Sequence, residues 1–99
     1  MSLAIAKRIH RNGHLVGKYF KWEDSYLLAV SMDYNGFLRG ICVTLGKCPA
    51  VSDNYIFDSN DVVEISRNDF LKAWKKTWPI LRKMNKDVYK DFYNRPMLT

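Results

Sequence analysis

Two histidines near the N-terminus are the residues of this sequence best suited to acid–base chemistry. His10 and His14 flank Asn12-Gly13, with Arg11 between them and Lys18 beyond. Small ribonucleases use histidine as general acid and base and hold the phosphate with neighbouring cations. Two histidines without a third ligand are a weak metal signal. Because the sequence has no nucleophile elbow, phosphate loop, HExxH or paired-carboxylate motif, we favour a non-enzymatic protein without metal or cofactor.

The two cysteines and the N-terminus bear on the compartment of the protein. Cys42 and Cys48 are separated by five residues, which matches neither a zinc-binding nor a redox motif. Free thiols persist in reducing compartments. The N-terminal stretch is not a secretory signal, because its cations follow the short apolar segment. The two thiols therefore lead us to expect a cytoplasmic protein. No apolar run approaches the ~18 residues of a membrane-spanning helix, so we expect no membrane partner.

Positive charge is concentrated at one end of the chain. The 99 residues carry a formal net charge of +6, from 16 Lys+Arg and 10 Asp+Glu. Residues 1–65 contain seven cations and seven anions, whereas residues 66–99 contain nine cations and three anions. Nine minus three is +6, so the excess lies entirely in the last third. Such asymmetry is a hint of a polyanionic partner.

A long amphipathic helix is predicted for residues 66–95. Ser66 is followed three residues later by Asp69, which resembles a capping box. At ~100° per residue, the apolar residues from Phe70 onward share one broad sector. Pro79 either kinks this helix or begins a second one. We favour the kinked helix, because the apolar phase is the same on both sides of the proline and the proline falls on the polar sector.

The opposite sector of this helix, roughly 120° wide, contains cations and no acid. An exposed face selected for solubility alone usually mixes charges of both signs. The cations are candidates for binding a nucleic acid or a protein partner, and they are Lys72, Lys75, Lys76, Arg82, Lys83, Lys86 and Lys90.

These cations support two hypotheses of different classes. The first is contact with the phosphate backbone of nucleic acid, with little sequence preference, because lysine acts as a point charge whereas base reading favours Arg, Asn and Gln. The alternative is a regulatory module, similar to an inhibitor or antitoxin, that docks an acidic protein. A membrane surface is disfavoured, because the apolar side of the helix is needed for the core.

The neutral part of the chain predicts an antiparallel sheet. Asn12-Gly13 and Asn35-Gly36 are strong hairpin signals. The first hairpin would join Leu3–His10 to His14–Trp22, with either a two-residue or a three-residue loop, and Glu23-Asp24 would then turn into the next strand. Shorter strands are expected at residues 55–57 and 62–65.

The cross-strand pairing of the second hairpin can be predicted residue by residue. A two-residue loop at Asn35-Gly36 pairs Leu28 with Val43 and gathers the large apolar residues on one face. The other face has small residues at its centre, and it is expected to be a thin surface that faces solvent or a second copy. If that face is open, Leu27 and Leu38 on it could form a homodimer contact.

Together these patterns predict one α+β domain over residues 1–99. An antiparallel sheet of four to six strands, which could be a partly closed barrel, occupies residues 1–65. The basic amphipathic helix covers it from residue 66.

Overall fold

The computed structural model describes residues 2–46 and 49–84. Five strands form its sheet: β1 Tyr19–Trp22, β2 Ser25–Met32, β3 Leu38–Thr44, β4 Ala50–Phe57 and β5 Val63–Ile65. Two α-helices flank them, α1 Leu3–Asn12 and α2 Arg67–Met84. The sheet has the order β4-β3-β2-β1-β5 with antiparallel pairing throughout, so β4 and β5 are its edges. The predicted α+β class and antiparallel sheet are confirmed, but the sheet is not closed into a barrel.

The N-terminal segment corrects the first predicted hairpin. Leu3–His10 is helical, and Ser2 caps α1 by accepting a hydrogen bond from the amide of Ile5 at 3.1 Å. A type I′ turn at Asn12-Gly13 would need positive φ at both residues. Here φ is −95° at Asn12 and −59° at Gly13, so this pair ends a helix. Neither predicted loop length applies, whereas the turn predicted at Glu23-Asp24 does join β1 to β2.

The second hairpin exists, with a different register. The Asp33 carboxylate accepts hydrogen bonds from the amides of Asn35 and Phe37, which holds a wider loop than the expected two residues. The wider loop displaces the pairing by one residue and the irregularity between Ala29 and Ser31 displaces it by another, so Leu28 pairs with Ile41 instead of Val43. The displacement is by two residues, and Leu28 and Val43 still share one face of the sheet.

Gly40 lies where two irregularities of the sheet meet. The β2–β3 register shifts between Ala29 and Ser31, and the β3–β4 register shifts beside Gly40 as well. A bulge bends its strand and increases the local twist. The bulge in β2 also moves Met32 from the predicted apolar face to the opposite one.

The sheet curls enough to bury its second face against itself. Phe20 on β1 and Phe57 on β4 make an edge-on ring contact at 5.6 Å, although β2 and β3 separate their strands. In a flat sheet three strand spacings would be about 14 Å. The expected thin, open face is therefore wrong: Leu27 and Leu38 are 1% and 0% exposed within one chain. The proposed homodimer contact through these two residues loses its basis, because neither is available at the surface.

Helix α2 covers the other face of the sheet. It begins as predicted, with the Ser66 hydroxyl accepting a hydrogen bond from the amide of Asp69 at 3.1 Å. Phe70, Ala73 and Trp74 pack against the sheet. Pro79 lies inside the helix, which continues to Met84. The predicted continuation to residue 95 lies outside the described residues.

Candidate polyanion-binding surface

One side of α2 packs in the core, and the opposite side, which faces solvent, carries lysines. Phe70, Ala73 and Trp74 are buried, and Thr77 is buried with its hydroxyl donating to the carbonyl of Ala73 at 2.9 Å. The side chains on the opposite side are exposed, and they are Lys72, Lys75 and Lys76. Packing of one side of the helix therefore places three of the seven predicted cations in solvent.

The structure does not describe the side chains of the other four predicted cations. Arg82 and Lys83 belong to α2, but only their backbone is described. Lys86 and Lys90 lie outside the described residues altogether. The surface is therefore built here from the first turns of the helix and from what lies beside them.

A lysine from the sheet joins those of the helix. A groove of about 310 Å³ runs between the sheet and α2, and both Lys72 and Lys76 line it. Lys21 on β1 lines the opposite wall, with its ammonium 5.3 Å from the ring centre of Tyr26 on the paired strand. Asp69 is the acid in this lining. We define the basic groove as Lys21, Lys72, Lys76 and the adjoining Lys75.

Sequence reasoning missed Lys21 as a member of this site. Lys21 lies in the neutral part of the chain, and its position beside α2 depends on the β1–β2 register. The predicted turn at Glu23-Asp24 already implies that Lys21 pairs with Tyr26, but it does not show that α2 packs beside this pair. The alternation of Lys21 with the buried Phe20 was the available signal, because it places the lysine on the face opposite Phe20.

The arginines of the sheet region have a different role from the lysines. Arg11 donates to both carboxylate oxygens of Asp58, at 2.7 and 3.3 Å, and Arg8 lies 3.8 Å from the same group. Arg39 lies 3.7 Å from Asp33. In the described ranges 2–46 and 49–84, these are the cations with an ion pair. The lysines of the basic groove have none among these residues, so they are available to a ligand.

A buried asparagine ties α1 to the sheet beside these arginines. The Asn12 amide donates to the carbonyl of Gly36 at 2.7 Å and to Asp58 at 3.3 Å, and it accepts from the Ser59 hydroxyl. Burial by itself would raise the pKa of Asp58. Hydrogen bonds from Arg11, the Asn60 amide and Asn12 outweigh that effect and hold the pKa of Asp58 below its ordinary value.

Replacing Asp58 by Asn is expected to lower the free energy of unfolding by about 1.5–3 kcal/mol at neutral pH, because it removes charged hydrogen bonds to Arg11. The native pKa is lowered, so the carboxylate stabilises fully above its unfolded pKa and progressively less as pH falls through the native one. The difference in urea unfolding between wild type and Asp58→Asn should therefore begin to narrow near the ordinary Asp pKa of 3.8 and should close as the pH falls through the native pKa. Asp61→Asn is the control, and a gap that persists unchanged in acid contradicts the assignment.

The two histidines lie at the surface on consecutive helical elements. His10 lies on α1 and His14 in the short 3-10 turn Gly13–Leu15, and both are exposed. Across the described part of the chain, no group of three or more His, Cys, Asp or Glu side chains could hold a metal ion. Cys42 is a buried free thiol, and Cys48 lies outside the described residues. Among the described helices, none is long and apolar enough to cross a membrane.

The comparisons with known proteins found no relative of this chain. No family model matches the chain, and neither a curated protein nor a solved structure does.

Proposed function

We propose that this chain is a small non-enzymatic binding protein that contacts the phosphate backbone of nucleic acid through the basic groove. One observation carries the proposal: Lys21 from the sheet and Lys72 and Lys76 from α2 line the same groove. Lysines that serve solubility alone have no need to converge from separate elements. Convergence concentrates positive potential where a polyanion can approach several of them together.

The side chains of the basic groove favour backbone contact over base reading. All four cations are lysines, which bind phosphate as point charges and lack the planar fork of arginine. Arg8, Arg11 and Arg39 instead face carboxylates of this chain. We therefore expect affinity that depends on salt and varies little with nucleotide sequence.

The salt dependence of binding tests the proposal quantitatively. With three to four phosphates contacted, affinity for a short duplex or single strand should fall roughly 20- to 150-fold between about 50 and 200 mM salt. The double substitution Lys72→Gln/Lys76→Gln should weaken binding at low salt and reduce the logarithmic salt slope by about 1.4–1.8. Fluorescence anisotropy of a labelled oligonucleotide measures both quantities.

A matched control separates this surface from net charge. Lys7 and Lys18 are exposed lysines that do not line the basic groove. The double substitution Lys7→Gln/Lys18→Gln removes the same formal charge and should leave the salt slope nearly unchanged. Equal losses in the two double variants, or affinity that does not respond to salt, would contradict the proposal.

An acidic protein is the second candidate for the same surface. Val63 on β5 pairs with Lys21 across the strands and is 70% exposed, which places an apolar side chain next to the lysines. Protein interfaces combine apolar contacts with charge complementarity, whereas phosphate contacts need no such residue. A stoichiometric protein retained from nuclease-treated lysate by wild type and Lys7→Gln/Lys18→Gln, but not by Lys72→Gln/Lys76→Gln, would favour this candidate.

A further inference from the structure

A second groove opens on the concave side of the sheet, away from the lysines. Its volume is about 430 Å³, and it lies between the β1–β2 end of the sheet and the edge strand β4. Aromatic side chains from both sides line it, namely Trp22, Tyr55 and Phe57. We call this the aromatic groove. Its size is within the range of sites that hold a small ligand or one side chain.

Two of the three aromatic side chains of this groove, Trp22 and Tyr55, remain partly exposed. Tyr55 stacks on Phe57 with ring centres 6.3 Å apart, and Phe57 contacts Phe20 behind it. Trp22 is 50% exposed and makes no ring contact with any other described residue. A half-exposed tryptophan at the mouth of a groove presents a large apolar ring and an indole N–H to a ligand.

The charged residue that lines the aromatic groove is an acid, Asp61. No cation of the described residues pairs with its carboxylate. Glu23 and Asp24 follow Trp22 directly, and Glu64 on β5 is paired with Phe20. Aromatic faces beside a carboxylate attract an organic cation, because the electron-rich ring faces and the anion act in the same sense.

Because the groove lies beside the edge strand β4, a peptide is the favoured ligand, with the organic cation on one of its side chains. In the described part of the sheet, β4 pairs with β3 alone, so its outer edge offers unpaired backbone groups. An extended peptide can add to such an edge and present alternate side chains to a neighbouring pocket. Tyr55 and Phe57 belong to this strand, so the edge and the groove adjoin.

We propose that the aromatic groove binds an alkylated lysine side chain of an extended peptide partner. The trimethylammonium group contacts Trp22 and Tyr55, and Asp61 supplies the counter-charge. This interaction is independent of the basic groove, which lies on the opposite face of the sheet. The protein would then hold a polyanion on one face and a cationic peptide on the other.

The test compares two peptides that differ in one atom of the side-chain head. One carries trimethyllysine, and the other carries its neutral analogue with carbon in place of nitrogen. Binding is followed by titration into isotopically labelled protein, with the indole N–H resonance of Trp22 as the probe. The neutral peptide should bind about 5- to 30-fold more weakly, which corresponds to the loss of a cation–π contact.

Three variants decide which side chains are responsible. Trp22→Leu keeps an apolar side chain but removes the ring, and Asp61→Asn removes the charge, so each should weaken the trimethyllysine peptide severalfold. Tyr34→Ala is the control, because Tyr34 is 97% exposed and lies in the β2–β3 loop. The Trp22→Leu protein is followed through backbone amide shifts, and its spectrum shows whether the sheet is intact.

The proposal is overturned if the neutral peptide binds as tightly as the charged one, if Asp61→Asn and a folded Trp22→Leu both bind normally, or if neither peptide binds. An effect of Lys72→Gln/Lys76→Gln as large as that of Trp22→Leu would also overturn it. Failure of the basic-groove proposal in the salt experiment leaves this test unaffected.

Discussion

Replacing Gly40 by Ala is expected to cost about 3 kcal/mol or more of stability, because the added methyl group has no space. A Cβ at this position would overlap the carbonyl oxygen of Leu28 and would lie 3.0 Å from the amide nitrogen of Val30. Both neighbours are backbone atoms of the bulged strand β2, which cannot rotate away as a side chain can. A large drop in the urea midpoint, or loss of the folded state, is the expected result.

Gly13 provides the matched control for this substitution. It has α-helical φ and ψ at the end of α1, and a Cβ there would meet the Met32 side chain at an ordinary 3.9 Å. Gly13→Ala should therefore be neutral or stabilise by up to about 1 kcal/mol, through reduced freedom of the unfolded chain. If Gly40→Ala were as well tolerated as Gly13→Ala, the close strand approach described here would be wrong.

Replacing Phe70 by Ala is expected to lower the free energy of unfolding by about 3–5 kcal/mol. Phe70 is fully buried, with its ring 5.3 Å from that of Tyr19 and 6.4 Å from that of Trp74. It therefore connects α2 to both the sheet and the next turn of the helix. Removing the ring leaves a cavity at the contact that holds Lys72 and Lys76 beside Lys21.

The Phe70→Ala variant has a structural readout as well as a thermodynamic one. Where the variant remains folded, the salt slope for nucleic acid should fall, because the lysines of α2 are no longer held against Lys21. Leu3→Ala is the control, since Leu3 is an exposed apolar residue and its truncation should change stability by less than about 0.5 kcal/mol. Equal destabilisation by the two substitutions would contradict the role of Phe70.

Local signals in the sequence were sufficient for the elements whose partners lie nearby in the chain. The Ser66–Asp69 cap and the apolar periodicity from Phe70 predicted the start and the buried side of α2. The alternation of side chains along β2 and β3 predicted that Tyr26, Leu28, Ile41 and Val43 share the face under α2. Their pairing is displaced by two residues, which leaves the face of each side chain unchanged. Met32 lies beyond the bulge in β2, so its predicted face was wrong.

Sequence signals that fit more than one kind of local structure led to wrong predictions. Asn12-Gly13 fits a hairpin as well as a helix end, and long-range contacts decided between them. Asn12 is held by Gly36, Asp58 and Ser59, all more than 20 residues away in sequence. No window around residue 12 contains that information, so the N-terminal helix was missed.

The sequence by itself determined the α+β fold class and the location of the excess charge along the chain. Composition, alternation and the basic C-terminal third are properties of the chain that folding does not change. The tertiary structure decided which charges are available and what stands beside them. Pairing of Arg8 and Arg11 with Asp58 engages those cations, whereas strand register brings Lys21 to α2. Curling of the sheet at the Gly40 bulges buries one predicted surface and creates the aromatic groove, since curvature arises from contacts among strands far apart in sequence.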